Sequence, residues 1–479
     1  MVSLTLTTAL MCTSCMVGPN YTPPCIPEEK WATKEDDASP GEPIDIAWWT
    51  VFDDPLLSAL IEDVAYGNFT IQEARERVCE ARALRAIAFA PLLPWVGANG
   101  SYTNSQVSLN GPNGEGFFVA SGIARRQNEI YEANFDALWE LDVFGGQRRA
   151  FEAATDRVGA AVASRRDVLL SVIAETARNY FELRGFQKRL SLLRKNARLQ
   201  ENTLNLVQKK YDIGLAREVD ITRAKALLEN TRAQIPDLKG RVQTASYRIA
   251  VLTGRMPGAL YECLKEERSF NIPEQIVPIG LRSEILRRRP DVQLAERKLA
   301  SSTAEIGVAV AKLYPSFTLT GNYGVLSANT IRQLFNERSE TWLLNGLVHI
   351  PIFEGGRLVA NVKLNESIQM QALFRYQDIV LQALEDAESS LVRYSREQET
   401  LALRKAEVRA ADQSTLLLRH LYENGLTDFL DVLVAEREQT SAEDNLALSE
   451  TKVLTNLVSL YKSLGGGWEV FDCLPDCDH

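Results

Sequence analysis

The segment Tyr211-Asp212-Ile213-Gly214-Leu215, with Val219-Asp220 behind it, returns as Tyr422-Glu423-Asn424-Gly425-Leu426 with Leu430-Asp431 behind it. Gly214 and Gly425 stand 211 positions apart, and so do Asp220 and Asp431. Each copy interrupts a long run with helical spacing. From about Gln147 onward, Val158, Val162, Leu169, Val172, Tyr180, Leu183, Leu190, Ala197, Leu204 and Val207 keep threes, fours and sevens, the seam of a coiled coil. About 65 residues at 1.5 Å each reach ~100 Å, longer than a globular core of this size requires. A return helix follows each tip, roughly Val219 to Leu252 and then up to Tyr461-Lys462-Ser463-Leu464-Gly465. Pro236 is expected to bend the first of these. The chain is predicted to hold two long helical hairpins with equivalent tips.

The repeat extends beyond the hairpins. Asp53-Asp54-Pro55 reads as a helix cap followed by proline at the first helical position, opening a helix that runs to about Ala90 and stops at Pro91 and Pro94. Beyond it the period changes from helical to two. Tyr131, Ala133, Phe135, Ala137, Trp139, Leu141 and Val143 share one face; Glu132, Asn134, Asp136, Glu140 and Asp142 share the other. Such a strand is long enough to cross an apolar band of ~25 Å when tilted. The same order recurs after a proline-bearing linker: a helix from Glu296 to Lys312, a stop at Tyr314-Pro315, two alternating runs, then Phe353-Glu354-Gly355-Gly356-Arg357 in place of Phe144-Gly145-Gly146-Gln147-Arg148. Strands are expected near 95–107, 130–144, 316–326 and 341–353. This is a structural duplication of helix, two strands and hairpin.

Composition narrows the function. A net charge of −10 over 479 residues offers no basic face for a nucleic acid. No run of about twenty apolar residues exists, which excludes a transmembrane helix and leaves a barrel open. Val2 to Met11 followed by Cys12-Thr13-Ser14-Cys15 reads as an export signal ending at a lipidation site, Cys15. Enzymatic chemistry finds no support: His349, His420 and His479 stand near no nucleophile or metal partner, and no cofactor, metal or catalytic residue is expected. Cys473 and Cys477 either pair or stay as thiols; Cys79 is expected to be packed within the first helix.

Four strands cannot close a barrel, and open edges in lipid leave backbone groups unpaired. Closed barrels start at about eight strands, so several chains must pool theirs. Twelve strands from three chains is the natural small solution, although the arithmetic also allows two or four copies.

The residues resemble the TolC-like outer-membrane efflux proteins, and among them the lipoprotein outer-membrane factors. The matching stretches run along nearly the whole chain: Cys15 with Val17-Gly18-Pro19-Asn20-Tyr21, Trp49-Thr50-Val51-Phe52-Asp53-Asp54-Pro55-Leu56, Arg289-Pro290-Asp291-Val292, Tyr314-Pro315-Ser316-Phe317, Pro351-Ile352-Phe353-Glu354-Gly355-Gly356-Arg357, and Tyr461 through Trp468. The resemblance implies an α+β membrane protein: a homotrimer with a 12-stranded outer-membrane β-barrel, four strands per chain, continued by a long periplasmic α-helical coiled-coil barrel. Residues 1–14 are then a signal peptide and 15–52 a lipidated extended arm. The first repeat occupies 53–254, a linker 255–282, the second repeat 283–466 and a tail 467–479. The expected partners are a periplasmic adaptor, an inner-membrane pump and outer-membrane lipid, with no nucleic acid.

In the resembled family the hairpin ends coil together to shut the tunnel. The positions carried over to this gate and tip are Tyr211, Gly214, Asp220, Tyr422, Gly425 and Asp431, with Asp431 matching a ring position. Thr427 stands where some members have Arg, and Val434 where a second ring Asp is found. An alternative reading makes Asp220 and Asp431 caps of their return helices. Glu132, Asp136, Glu140 and Asp142 are the expected lumen-facing acids. Two other functions compete with an exit duct for small toxic molecules or ions: an outlet for type I protein secretion, and a lipid-tethered periplasmic scaffold.

Overall fold

The computed structural model describes residues 16–24, 38–40, 45–109, 119–122, 125–268, 270–273, 277–280, 282–328 and 330–472; Cys12, Cys15, Cys473 and Cys477 lie outside them. In chain order the elements are β1 (Ala38–Pro40), α1 (Pro55–Gly67), α2 (Phe69–Phe89), β2 (Trp95–Gln106), β3 (Gln127–Leu141), α3 (Gly146–Asp212) and α4 (Glu218–Leu252). After these come α5 (Tyr261–Leu264), β4 (Val277–Gly280), α6 (Arg282–Arg288), α7 (Pro290–Ala311), β5 (Ser316–Ala328), β6 (Glu340–His349), α8 (Arg357–Glu423) and α9 (Phe429–Ser463). The chain divides into two units, one of Met1–Pro23, Glu80–Gly159 and Glu296–Phe374, the other of Pro24–Cys79, Ala160–Ala295 and Arg375–His479.

The first unit is built on an antiparallel sheet in the order β2-β3-β5-β6. Its register sets Gly97, Asp136 and Asn322 side by side, and likewise Ala98, Phe135 and Tyr323. Because side chains alternate, one face of the sheet gathers Asn99, Ser101, Glu132, Asn134, Asp136, Thr320 and Asn322. The other gathers Tyr102, Tyr131, Phe135, Trp139, Leu319, Tyr323, Trp342 and Leu344. Among the described residues, β2 pairs only with β3 and β6 only with β5, so both edges of the sheet are open.

The stretch that precedes the sheet in sequence is pinned to this unit. Val17 donates its N–H to the Phe144 carbonyl at 3.1 Å. The buried Arg149 guanidinium donates to the Val17 carbonyl (3.2 Å), the Gly18 carbonyl (3.3 Å) and Asn20 Oδ1 (2.7 Å). Gly18 adopts φ +86°, and a Cβ there would lie 2.5 Å from Gly307 Cα. Only glycine fits that approach.

The second unit is a helical core. Asp54 is the cap that opens α1, accepting from Leu56 N (2.9 Å) and Leu57 N (3.3 Å). Trp48 is fully buried, stacked on Tyr461 at 5.4 Å, and donates its indole N–H to the Gly466 carbonyl at 3.1 Å. The first helix does not run unbroken to Ala90 as expected. It stops at Gly67, and Asn68 starts α2: its Oδ1 accepts from Thr70 N (2.9 Å) and Ile71 N (3.2 Å), while its Nδ2 donates to the Leu252 carbonyl (2.8 Å). A side chain on Gly67 would meet the Thr253 carbonyl at 2.6 Å, so the break lets two backbones touch. Cys79, expected to be packed, is disulfide-bonded; Cys263 is free and exposed.

The duplication is geometrical as well as sequential. α3 and α8 each have 67 residues, about 100 Å at 1.5 Å per residue, and α4 and α9 each have 35. Pro236 lies inside α4, which continues past it. α9 faces α3 through a polar seam with a seven-residue period. Glu436 accepts from Thr203 (2.6 Å) and Arg419 (2.7 Å); Glu443 accepts from Lys195 (3.0 Å) and Asn196 (2.8 Å). Glu450 meets Lys188 one heptad further on, and Asp444 receives a two-pronged bond from Arg189 at 2.7 and 3.0 Å. Glu436 and Glu443 are buried, and each is held by two donors, which is what a desolvated carboxylate requires.

Candidate functional site: the hairpin tips and the polar sheet face

Both tips turn on a glycine in the left-handed region, Gly214 at φ +79° and Gly425 at φ +76°. The closing bonds also match. Gly214 N and Leu215 N donate to the Tyr211 and Lys210 carbonyls at 2.8 and 2.7 Å, and Gly425 N and Leu426 N to the Tyr422 and Leu421 carbonyls at 3.1 and 2.8 Å. That is the helix-ending motif in which a glycine reverses the chain and satisfies the last carbonyls.

The side chains diverge where the backbone repeats. Asp220 is buried and caps α4: it accepts from Arg217 N at 3.1 Å and pairs with the Arg217 guanidinium at 3.3 Å. Asp431 sits at the same place in α9 yet is exposed, and takes the Thr427 hydroxyl at 2.6 Å. Tyr211 is 41% exposed, whereas its counterpart Tyr422 is 6% exposed. Tyr422 packs on Phe429 at 5.5 Å, and burial, then the charge of Asp220, pushes its phenol up. Its hydroxyl has no hydrogen-bond partner among the described residues.

Sequence reasoning missed Lys210. It sits 4.2 Å above the Tyr422 ring and donates to the Tyr422 and Glu423 carbonyls, so a lysine from the first tip caps the helix that enters the second. A cation at a helix C-terminus and over an aromatic face gains on both counts. The signal present in the sequence was a basic residue just before the first tip that is leucine, Leu421, at the second. Around these contacts Ile213, Leu215 and Leu426 stand 70–73% exposed.

On the polar sheet face, Asp136 is braced from both sides, by Asn99 of β2 and by Asn322 of β5 at 2.7 Å. Glu132 accepts from Asn134 at 2.7 Å and Ser101 at 3.4 Å. Glu140 is exposed on the same face. Asp142 is the exception. β3 ends at Leu141 rather than near 144, and Asp142 caps α3 instead, accepting from Gln147 N (3.1 Å), Arg148 N (2.9 Å) and Arg148 Nε (3.1 Å). The chain must turn at once from strand to helix there, and the free amides of the helix start take the nearest carboxylate. Among the described residues no three His, Cys, Asp or Glu side chains are placed to hold a metal, and no helix is long and apolar enough to cross a membrane.

The family profile described as Outer membrane efflux protein matches twice, over residues 60–255 and 281–466. The chain is 32% identical over 463 residues to Nodulation protein T of Rhizobium leguminosarum bv. trifolii, covering 96% of each. It is 29% identical over 469 residues to the Toluene efflux pump outer membrane protein TtgC of Pseudomonas putida, covering 96% of this chain and 94% of that one. Among solved structures, the outer-membrane channel OprN superposes with a TM-score of 0.87 at 34% identity, over 95% of this chain and all of that one. The chain belongs to the outer membrane efflux protein family, and is an outer-membrane protein that reaches into the periplasm.

Proposed function

We propose that the chain is the exit duct of a tripartite efflux system, conducting small toxic molecules or ions passively from periplasm to exterior, with no catalytic step of its own. The observation that carries this reading is the four-stranded sheet with one aromatic face, one hydrogen-bonded polar face and two open edges. Such a sheet is stable in lipid only when its edges are closed by other copies. Three copies give twelve strands and a wet lumen lined by Glu132, Asp136 and Glu140. Acyl chains on Cys15, which lies outside the described residues, would hold the arm at the membrane surface, and Val17 and Gly18 are already pinned beside the strand ends.

The hairpin tips are read as the periplasmic closure and the docking point for an adaptor that joins the inner-membrane pump. Tyr422 beside Asp220 ties each chain's two tips together, and Gly214 and Gly425 make the turns. Asp431, exposed where its counterpart is consumed as a cap, is the residue left to face the aperture, and Tyr211, exposed at the first tip, is read in the same role. Relatives are named for toluene, antibiotic and pyoverdine export, which favours small cargo over secreted protein. The test is conductance of the purified protein in a planar bilayer. A duct gives discrete channel openings and a scaffold gives none. Asp431→Ala should weaken block by added divalent cations from the tip side; unchanged conductance and unchanged block would remove Asp431 from the aperture.

A further inference from the structure

In the second unit, a cavity of about 220 Å³ is walled by Asp167 of α3, Arg289 and Asp291 at the start of α7, Ser390 of α8 and Lys462 of α9. Much of that wall is already committed. The five N–H groups of Arg289 go to Asp291 (3.0 and 2.6 Å), Asp386 (3.3 Å) and the Ala383 and Ser463 carbonyls (3.2 and 3.1 Å). Asp291 is held by that fork and by the Val292 N–H at 2.9 Å. Ser459 and Ser463 donate their hydroxyls to carbonyls of their own helix, Thr455 at 2.9 Å and Leu460 at 2.8 Å.

Three groups are left over. Among the described residues, neither the Asp167 carboxyl nor the Lys462 ammonium has a hydrogen bond or an ion pair, although both line this cavity. Ser390 is buried and accepts from Arg393 at 3.1 Å, but its own hydroxyl proton reaches no acceptor among the described residues. Burial, then the charge of Asp291, pushes the Asp167 carboxyl up, and the opposing pull of Lys462 does not offset them. A half-buried carboxyl without a donor is costly, and a charged donor is its best remedy. Opposite charges that face one cavity without meeting leave room between them for a molecule carrying the complementary pair.

We infer that this cavity binds a small zwitterion of the amino-acid kind. Its ammonium meets Asp167, and its carboxylate lies between Lys462 and the Ser390 hydroxyl. The size agrees, because pockets for drug-sized ligands run to roughly 300–1,000 Å³ and this one is smaller. The guest touches α3, α8 and α9 at one point, so it clamps three helices that belong to both hairpins. Binding there is separate from conduction, since a duct and a scaffold would carry the site equally.

Equilibrium dialysis of the purified full chain in detergent against radiolabelled glycine, β-alanine and 4-aminobutyrate tests the site. At least one of these should bind saturably, a single molecule per chain, and the tightest reports the spacing of the two charges. Methylammonium and acetate, each with half of the charge pair, should compete roughly tenfold more weakly, as loss of one charged hydrogen bond implies. Asp167→Asn and Lys462→Gln should each weaken binding by a similar factor, and Ser390→Ala by less. Unchanged helical circular dichroism shows that the variants are folded. Absence of saturable binding by all three, competition by methylammonium as strong as by the zwitterion, or binding that survives both charge substitutions overturns the site. A protein that conducts but binds none of them keeps the duct and loses the site, and one that binds without conducting does the reverse.

Discussion

Arg289 is the first residue of an Arg-Pro-Asp motif that carried family resemblance but no role in the sequence. In the fold its guanidinium donates to the Ala383 and Ser463 carbonyls at 3.2 and 3.1 Å and makes a two-pronged pair with Asp291 at 3.0 and 2.6 Å. It ties the start of α7 to the middle of α8 and the end of α9. Arg289→Ala should cost on the order of 3 kcal/mol, because buried carbonyls and a partly buried carboxylate lose their donor. Arg289→Lys recovers only part of that, lacking the planar fork. Thermal unfolding of the detergent-solubilised protein reads both.

Two aspartates of this unit give opposite pH signatures. Asp167 lines a cavity of about 220 Å³ with Arg289 and Asp291, and burial, then the charge of Asp291, lifts its carboxyl above the ordinary 3.8. The folded state therefore holds that proton more tightly than the unfolded state. The associated stability is present below the unfolded value and is lost as pH rises through the folded one. Asp167→Asn should raise the unfolding midpoint at pH 7, with the gain shrinking as pH falls. Asp472 is also raised by burial, but the hydrogen bond and charge of Arg166, then of Arg165, outweigh this and hold it below 3.8. Its contribution is present above the unfolded value and is lost as pH falls through the folded one. Trp468, stacked under Arg166 at 4.3 Å, should report the release of this segment by a fluorescence change in acid. Asp472→Asn should remove that acid transition.

At the scale of elements, helices and strands were legible because their periods, near 3.6 and 2, are written in every turn and every pair of residues. The break at Asn68 was not, because the carbonyl that its amide satisfies lies 184 positions away. The same holds for the α3–α9 seam. Its carboxylates read as solvated charges until the antiparallel register brings each to its donor. The capping role of Asp142 was hidden for a third reason: alternation continues on paper past the point where the chain turns into a helix. Close packing of α3 on α9 depends on Gly185, where an added Cβ would lie 2.2 Å from Thr451 Oγ1 and 2.8 Å from its Cγ2. Gly185→Ala should destabilise the hairpin pair by about 1–3 kcal/mol through overpacking. Thr451→Ala in the same chain should return most of it, a double-mutant cycle with strong coupling.

For the whole molecule, the polar sheet face predicts selectivity. Asp136, fixed by an asparagine on either side, offers a preorganised negative charge once per chain, and a ring of such charges attracts cations. Asp136→Asn should move the reversal potential in a salt gradient toward the non-selective value. Asp142→Ala should leave that potential unchanged and instead loosen the start of α3 by about 1 kcal/mol, as loss of a cap does. If the two substitutions shift selectivity equally, Asp142 faces the lumen after all.

The equal helix lengths and equal turns of the two halves conceal a division of labour that can no longer be undone. Gly254 and Gly465 end their return helices alike, at φ +73° and +76°, but a Cβ at Gly254 would run into the Gly67 carbonyl and one at Gly465 into the side chain and backbone of Arg289. Tyr422 is enclosed where Tyr211 is open, and Asp220 is a buried cap where Asp431 is exposed. Gene conversion, which overwrites one tandem copy with the other, would preserve every turn and helix length here while placing each of these side chains in surroundings built for its counterpart. The halves of this gene should therefore drift apart in sequence while their backbones stay superimposable.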